Sequence, residues 1–207
     1  MAQFFSLHPE QPQARLIRQA AEIIRAGGVV ALPTDSAYAL ACQVGDAALL
    51  ERVRRIRGVD DRHHFTLLCR DLSEIGTYAR VDNTQYRLLK ATTPGPYTFI
   101  LEGTKELPRR VLHPKRKTIG LRVPEHAVVS ALLAELDGPL LSATLILPGE
   151  DLPMTDADEI RDRLGKVVDL VIEAGYCGPE ATTVIDLTSG APALVRAGRG
   201  PLEPFGL

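Results

Sequence analysis

ARLIRQAAEIIRAGGVVALPTDSAYAL, residues 14–40, is the stretch that decides the fold. Leu16, Ile17, Ala20, Ala21, Ile23 and Ile24 fall on one stripe at helical spacing, which predicts an amphipathic helix over 14–26. Gly27 and Gly28 stop that helix, because glycine takes the left-handed cap conformation at little cost. The apolar run 29–32 then reads as a buried strand, ended by Pro33. Directly after it, Thr34, Asp35 and Ser36 gather two hydroxyls and a carboxylate where open α/β sheets place their ligands. The same residue types also stabilise turns by bonding nearby backbone, so this segment alone reads equally as turn or site.

Outward from this unit, Asp46 reads as the N-cap of a second helix, with Leu49, Leu50, Val53 and Ile56 inward and Gly58 as its stop. Further strands are expected at 65–69, 97–101, 118–123, 140–147, 167–172 and 183–187. Helices are expected at 82–91, at 125–136 and at 156–166, the last opening with Thr155 and Asp158 at capping-box spacing. Near the end, TTVIDL and PALVR flank Thr188–Ala191, which predicts a hairpin. Helices alternate with strands early and strands pair directly late. That order predicts an α/β fold built on a twisted, mixed parallel and antiparallel open sheet with packed helices. No repeat, low-complexity tract or linker interrupts the chain, so a single domain over 1–207 is expected.

Composition sets the outer limits. The hydrophobic share of 45% supplies a core, and a net charge of −2 gives the whole molecule no general attraction to polyanions. Any nucleic-acid role must come from local patches. Cys42, Cys69 and Cys177 are odd in number and far apart, so neither a disulfide framework nor a metal pair is expected. The first residues lack the pattern of a signal peptide, and no apolar run approaches membrane-spanning length. A cytoplasmic protein without membrane contact is the expectation.

Four further segments could carry chemistry. Arg52, Arg54, Arg55 and Arg57 crowd the end of the second helix, where cations suit the helix dipole or could bind phosphate. Arg55 and Arg57 point to different sides of an ideal helix, but to one side if the chain is extended beyond Ile56. Lys105, Arg109, Arg110, Lys115, Arg116, Lys117 and Arg122 meet only Glu106 within 105–122, and Pro108 and Pro114 predict a mobile basic loop suited to a polyanion. Ser142 and Thr144 place two hydroxyls inside an apolar run, where they bond either backbone or ligand. Thr182, Thr183 and Arg196 flank the late hairpin. P-loop and GxSxG motifs are missing. His63-His64, His113 and His126 lack zinc spacing, and adjacent histidines in a strand would face opposite ways.

Taken in order, these segments resemble the YrdC/YciO family. The resemblance runs through Pro33–Leu40, Arg55-Ile56-Arg57, Pro94–Thr98, Thr118–Pro124, Leu141–Thr144, Thr182–Asp186 and Val195–Gly198, nearly the whole chain. It implies a sheet with a large, basic concave face. It also implies threonylcarbamoyl-adenylate synthesis, a nucleotidyl transfer in which threonine, bicarbonate and ATP yield the activated carbamoyl-AMP and pyrophosphate, in tRNA threonylcarbamoyladenosine metabolism.

On that resemblance, Arg55 and Arg57 clamp phosphates while Ser142 and Thr144 donate to the α-phosphate. Thr34, Ser36, Tyr38 and Arg122 hold the threonine or its carbamate, and Thr183 and Arg196 complete the nucleotide side. Arg109, Arg110, Lys115, Arg116 and Lys117 would bind tRNA or double-stranded RNA. Magnesium is expected as a partner of ATP, held by substrate rather than by protein, and the molecule as monomer or homodimer. The synthase branch resembles Lys-x-Arg and Ser-x-Asn where this chain has Arg55-Ile56-Arg57 and Ser142-Ala143-Thr144, and has glycines where it carries Ala39 and Ala41. Those departures place it nearer the YciO branch and imply reduced synthase activity. Two alternatives follow: an RNA-binding protein without synthase activity, or an enzyme removing threonylcarbamoyl from tRNA.

Overall fold

The computed structural model describes residues 1–207. Ten strands form one mixed sheet: β1 (Gln3–Ser6), β2 (Val30–Leu32), β3 (Ala39–Gln43), β4 (Thr66–Leu68), β5 (Tyr97–Glu102), β6 (Thr118–Arg122), β7 (Leu140–Thr144), β8 (Leu170–Glu173), β9 (Thr183–Asp186) and β10 (Ala193–Arg196). Their spatial order is β1-β8-β2-β3-β7-β4-β6-β5-β9-β10. Parallel pairs (β1–β8, β2–β8, β4–β6, β5–β9) alternate irregularly with antiparallel ones (β2–β3, β3–β7, β4–β7, β5–β6, β9–β10). The mixed open sheet expected from the order of elements is therefore present, and so is the late hairpin.

Six helices pack on it: α1 (Ala14–Arg25), α2 (Ala47–Arg57), α3 (Leu72–Tyr78), α4 (Asn83–Thr92), α5 (Ala127–Leu136) and α6 (Ala157–Leu164). Asp46 caps α2 by accepting from the Ala48 and Leu49 N–H groups, as its position predicts. The start of α6 differs from expectation: Asp156, not Thr155, is the N-cap, and it accepts from the Glu159 N–H. The stripe of α1 buries Ile17, Ala20, Ala21 and Ile24. β1, β3 and α3 were not anticipated.

Strand alternation explains how the two faces differ. Val29, Ala31, Leu40, Cys42, Leu67, Phe99, Leu101, Ile119, Leu121 and Leu141 belong to one core, which also takes in the buried sides of α2 and α6. The intervening residues Val30, Leu32, Ala39, Ala41, Leu68 and Leu140 turn the other way, against α1 and α5. These two helices cover that second face over β8, β2 and β3. Farther along the sheet, the same face carries Thr66, Thr98, Gly120, Ser142 and Thr144. Cross-strand register ties the halves together, since Ala41 pairs with Ser142, Ser142 with Thr66, Thr66 with Gly120 and Gly120 with Ile100. A greasy floor beneath two helices thus becomes a polar floor beyond them.

Candidate functional site

Beyond α1 and α5 the sheet face opens into a cavity of about 490 Å³. Its floor is the polar row just described. Gly120 keeps that floor open: a Cβ there would sit 2.9 Å from Thr66 Oγ1 and 3.0 Å from Thr98 Cγ2. Ser36–Ala39, Arg57, Arg62–His64, Thr182, Val195 and Arg196 line it above that floor.

One end is built around Arg122, which is almost completely buried. Its guanidinium forms a salt bridge and hydrogen bond with the Asp35 carboxylate and donates to Ser36 Oγ at 3.2 Å. The other Asp35 oxygen accepts the Glu125 N–H at 3.0 Å. Burial lowers the Arg122 pKa and the Asp35 charge opposes that shift. The Pro33–Tyr38 segment is both turn and site. Thr34 Oγ1 donates to the Ala37 carbonyl and accepts from the Ser36 and Ala37 N–H groups, so Thr34 shapes the turn that presents Asp35 and Ser36.

Two further guanidinium groups of the lining, Arg57 and Arg196, lack such a partner. Arg57 is the last residue of α2, and its guanidinium donates to the Ile146 carbonyl. Its Nε is buried with no hydrogen-bond partner. Burial and the Arg196 charge lower the Arg57 pKa, and burial lowers that of Arg196. Arg196 donates to the carbonyl and the hydroxyl of Thr182. No carboxylate bears on either group. Two guanidinium groups lining one cavity without an acid beside them suit an anion.

The structure brings Ser36, Tyr38, Arg57, Arg122, Ser142, Thr144 and Arg196 together around the one cavity. Tyr38 contributes its ring only, because its hydroxyl donates to the Ile172 carbonyl. The Ser142 hydroxyl donates to the Thr66 carbonyl, whereas Thr144 keeps its hydroxyl free of protein partners. Thr183 is fully buried outside the lining, its hydroxyl donating to the Gly200 carbonyl, and its neighbour Thr182, itself buried, lines the cavity instead.

Arg55 does not join them. The helix runs unbroken to Arg57, and Gly58 (φ 63°) caps it in the left-handed conformation, so no extended residue turns Arg55 inward. Arg55 is exposed and absent from the cavity lining. Arg109, Arg110, Lys115, Arg116 and Lys117 are likewise exposed and outside the cavity. Their segment is more ordered than a mobile loop. Leu107 and Val111 anchor it in the core, residues Arg109–Val111 form a 3-10 turn, and His113 Nδ1 accepts from the Lys115 and Arg116 N–H groups.

The family model for the Sua5, YciO and YrdC proteins, described as telomere recombination, matches residues 22–198. The chain belongs to the Sua5/YciO/YrdC family. It is 57% identical to YciO of Escherichia coli K12 over 205 residues, covering 99% of this chain and all of that protein. The E. coli YciO crystal structure superposes with a TM-score of 0.96, at 56% identity over 99% of this chain and 100% of that one. The human threonylcarbamoyl-AMP synthase is 33% identical over 190 residues, spanning 88% of this chain and 67% of that protein. Sua5 of P. abyssi in complex with L-threonine gives a TM-score of 0.89 at 25% identity, covering 97% of this chain and 58% of that one. Higher identity to YciO than to the synthase agrees with the departures at Arg55 and Thr144.

The cavity also includes residues outside the expected site set: Arg62, Thr66 and Thr98, together with His63 and His64, which the sequence suggests only as a rejected zinc pair. The two histidines precede β4 and lie outside the strand, so strand alternation does not separate them, and both line the cavity. A signal for them existed in the run of Arg62, His63 and His64 just before an apolar strand.

Proposed function

We propose that the cavity binds a threonyl or threonylcarbamoyl group at the Asp35–Ser36–Arg122 end and an adenylate phosphate at the Arg57–Arg196 end. On this reading the protein acts in tRNA threonylcarbamoyladenosine metabolism, as a homologue of threonylcarbamoyl-AMP synthase with reduced activity. The observation that carries the reading is the polarity of the recess. A guanidinium already matched by a carboxylate, as Arg122 is by Asp35, suits a ligand that itself bears both an ammonium or amide and a carboxylate. Two unmatched guanidinium groups suit a phosphate. The likeness to Sua5 crystallised with L-threonine supports the first assignment, and the likeness to threonylcarbamoyl-AMP synthase supports ATP as the second substrate.

In the synthase direction, threonine and bicarbonate condense with loss of water, and a carbamate oxygen attacks the α-phosphorus. The bond to the bridging oxygen breaks and pyrophosphate leaves. Arg57 and Arg196 would offset charge on the phosphates, the Thr144 hydroxyl would donate to the α-phosphate, and Arg122 and Ser36 would align the threonine part. Magnesium would enter as a partner of ATP, held by substrate rather than by protein. Incubation with ATP, threonine and bicarbonate should release pyrophosphate in a threonine-dependent way. Release that ignores threonine, or none, would count against this direction.

The outward position of Arg55 favours a second reading. Of the residues expected around the threonine, Ser36, Tyr38 and Arg122 line the cavity, whereas the clamp expected for an ATP tail has Arg57 but not Arg55. Such a cavity would suit removal of the threonylcarbamoyl group from tRNA better than its activation. Mass spectrometry of modified tRNA before and after incubation separates the two directions.

RNA binding would rest on Arg109, Arg110, Lys115, Arg116 and Lys117, which share one exposed segment. Neutralising Lys115, Arg116 and Lys117 together should weaken tRNA or double-stranded RNA binding across sequences and flatten the slope of log K against log salt by about 2–3. An unchanged slope in filter binding would remove this segment from the interface.

A further inference from the structure

His63 lies in the wall of the cavity, its ring edge-on to Phe65 with centroids 5.4 Å apart. The charged and titratable groups bearing on it are Arg57 from the end of α2, Arg196 from β10, and His64 and Asp60 from its own segment. Only Asp60 favours a protonated ring. Neither ring nitrogen is taken by a protein hydrogen bond, so the imidazole is free to meet a ligand. It shares the cavity lining with Arg57 and Arg196, whose charges bear on it.

We propose that His63 is a proton-accepting contact of the phosphate end: an oxyanion held by Arg57 and Arg196 draws a proton onto His63, making occupancy of the cavity pH-dependent. This rests on the phosphate reading of that end and adds a residue and a form of regulation to it. The physical reason is charge balance. In the free protein, burial and the Arg57 charge pull the His63 pKa down to about 4, so the ring is neutral near pH 7. A dianion between the guanidinium groups offsets their repulsion and offers the imidazolium an acceptor, which raises that pKa. By linkage, a ligand that raises the proton affinity binds more tightly when the proton is present.

The sign follows from the two midpoints. Below about 4 the ring is protonated with or without ligand, and affinity is flat. Above the midpoint of the complex it is neutral in both states, and affinity is flat again. Between them, binding takes up a proton and affinity rises as pH falls, by up to about tenfold per pH unit.

Phosphate esters themselves gain a proton near pH ~6, which works in the opposite direction. Inorganic sulfate stays a dianion through this range and is the cleaner probe. The His63 ring resonance of the full chain, assigned with His63→Gln, is followed by NMR against pH with no ligand, with saturating sulfate and with AMP. The His63 midpoint should rise by about one pH unit or more with sulfate. Sulfate affinity in His63→Gln should lose its rise toward low pH. If sulfate perturbs resonances around Arg57 and Arg196 while the His63 midpoint stays in place, the inference is overturned and the phosphate reading survives. If neither sulfate nor AMP perturbs the cavity, the phosphate reading falls and the inference falls with it.

Discussion

Replacing Arg57 by alanine weakens AMP binding by roughly 30- to 1000-fold, the consequence of losing about 2–4 kcal/mol from a charged hydrogen bond made in a partly desolvated recess. Replacing Arg55 by alanine changes the same affinity by no more than about twofold, as befits an exposed side chain. The two residues are separated by one position, carry the same charge and sit on the same last turn of α2. They differ in direction: Arg57 reaches the Ile146 carbonyl in the cavity wall, and Arg55 faces away. Calorimetric titration of both variants with AMP therefore tests geometry at constant charge. Equal losses in the two variants would mean that α2 ends earlier than Gly58, or that bulk charge rather than placement attracts the nucleotide.

The second large effect concerns stability. Arg122→Ala leaves the Asp35 carboxylate without its partner in a nearly closed site, which costs about 3–5 kcal/mol. For a chain of this size that corresponds to a fall in melting temperature of roughly 6–20 °C. Asp35→Ala should destabilise comparably, because it strands the buried guanidinium instead. The double replacement should recover part of the loss, since it leaves neither charge unpaired. Thermal melts of the three variants and the parent complete the cycle. Additive losses would show that Arg122 and Asp35 do not depend on each other. The cycle bears on function because this pair fixes the end of the cavity that would receive the threonyl group.

Much of this arrangement is legible before any coordinates. The stripe from Leu16 to Ile24, the cap at Asp46 and the hairpin around Thr188–Ala191 follow from spacing and turn chemistry alone. Ser142 and Thr144 are two apart, so strand alternation already puts both hydroxyls on one face. Register is what the sequence leaves open. Nothing in the order of residues says that Ser142 lies beside Thr66 and Thr66 beside Gly120, yet those pairings make the floor of the cavity.

Short elements were lost for a related reason. β1 has four residues and α3 has seven with Gly76 inside it, too few for periodicity to register. β3 follows β2 after only six residues, and its Ala39–Cys42 run carries no turn signal of its own to mark it as a separate strand. The direction of Arg55 depended on one residue: whether Ile56 is helical is decided by Gly58, which can cap late or early. His63 and His64 were judged as strand residues, and they fall just outside the strand.

The central claim is that chain segments from α2, β6, β7, β10 and the turn before β3 form one recess with a phosphate end and an amino-acid end. A crystal structure of the protein soaked with AMP and L-threonine tests it most directly. The account predicts the phosphate within hydrogen-bond distance of Arg57 and Arg196, and the threonine carboxylate against Arg122 and Ser36, in the same cavity. Phosphate seated on the Arg109–Lys117 segment instead, or the two ligands on separate faces, would contradict it.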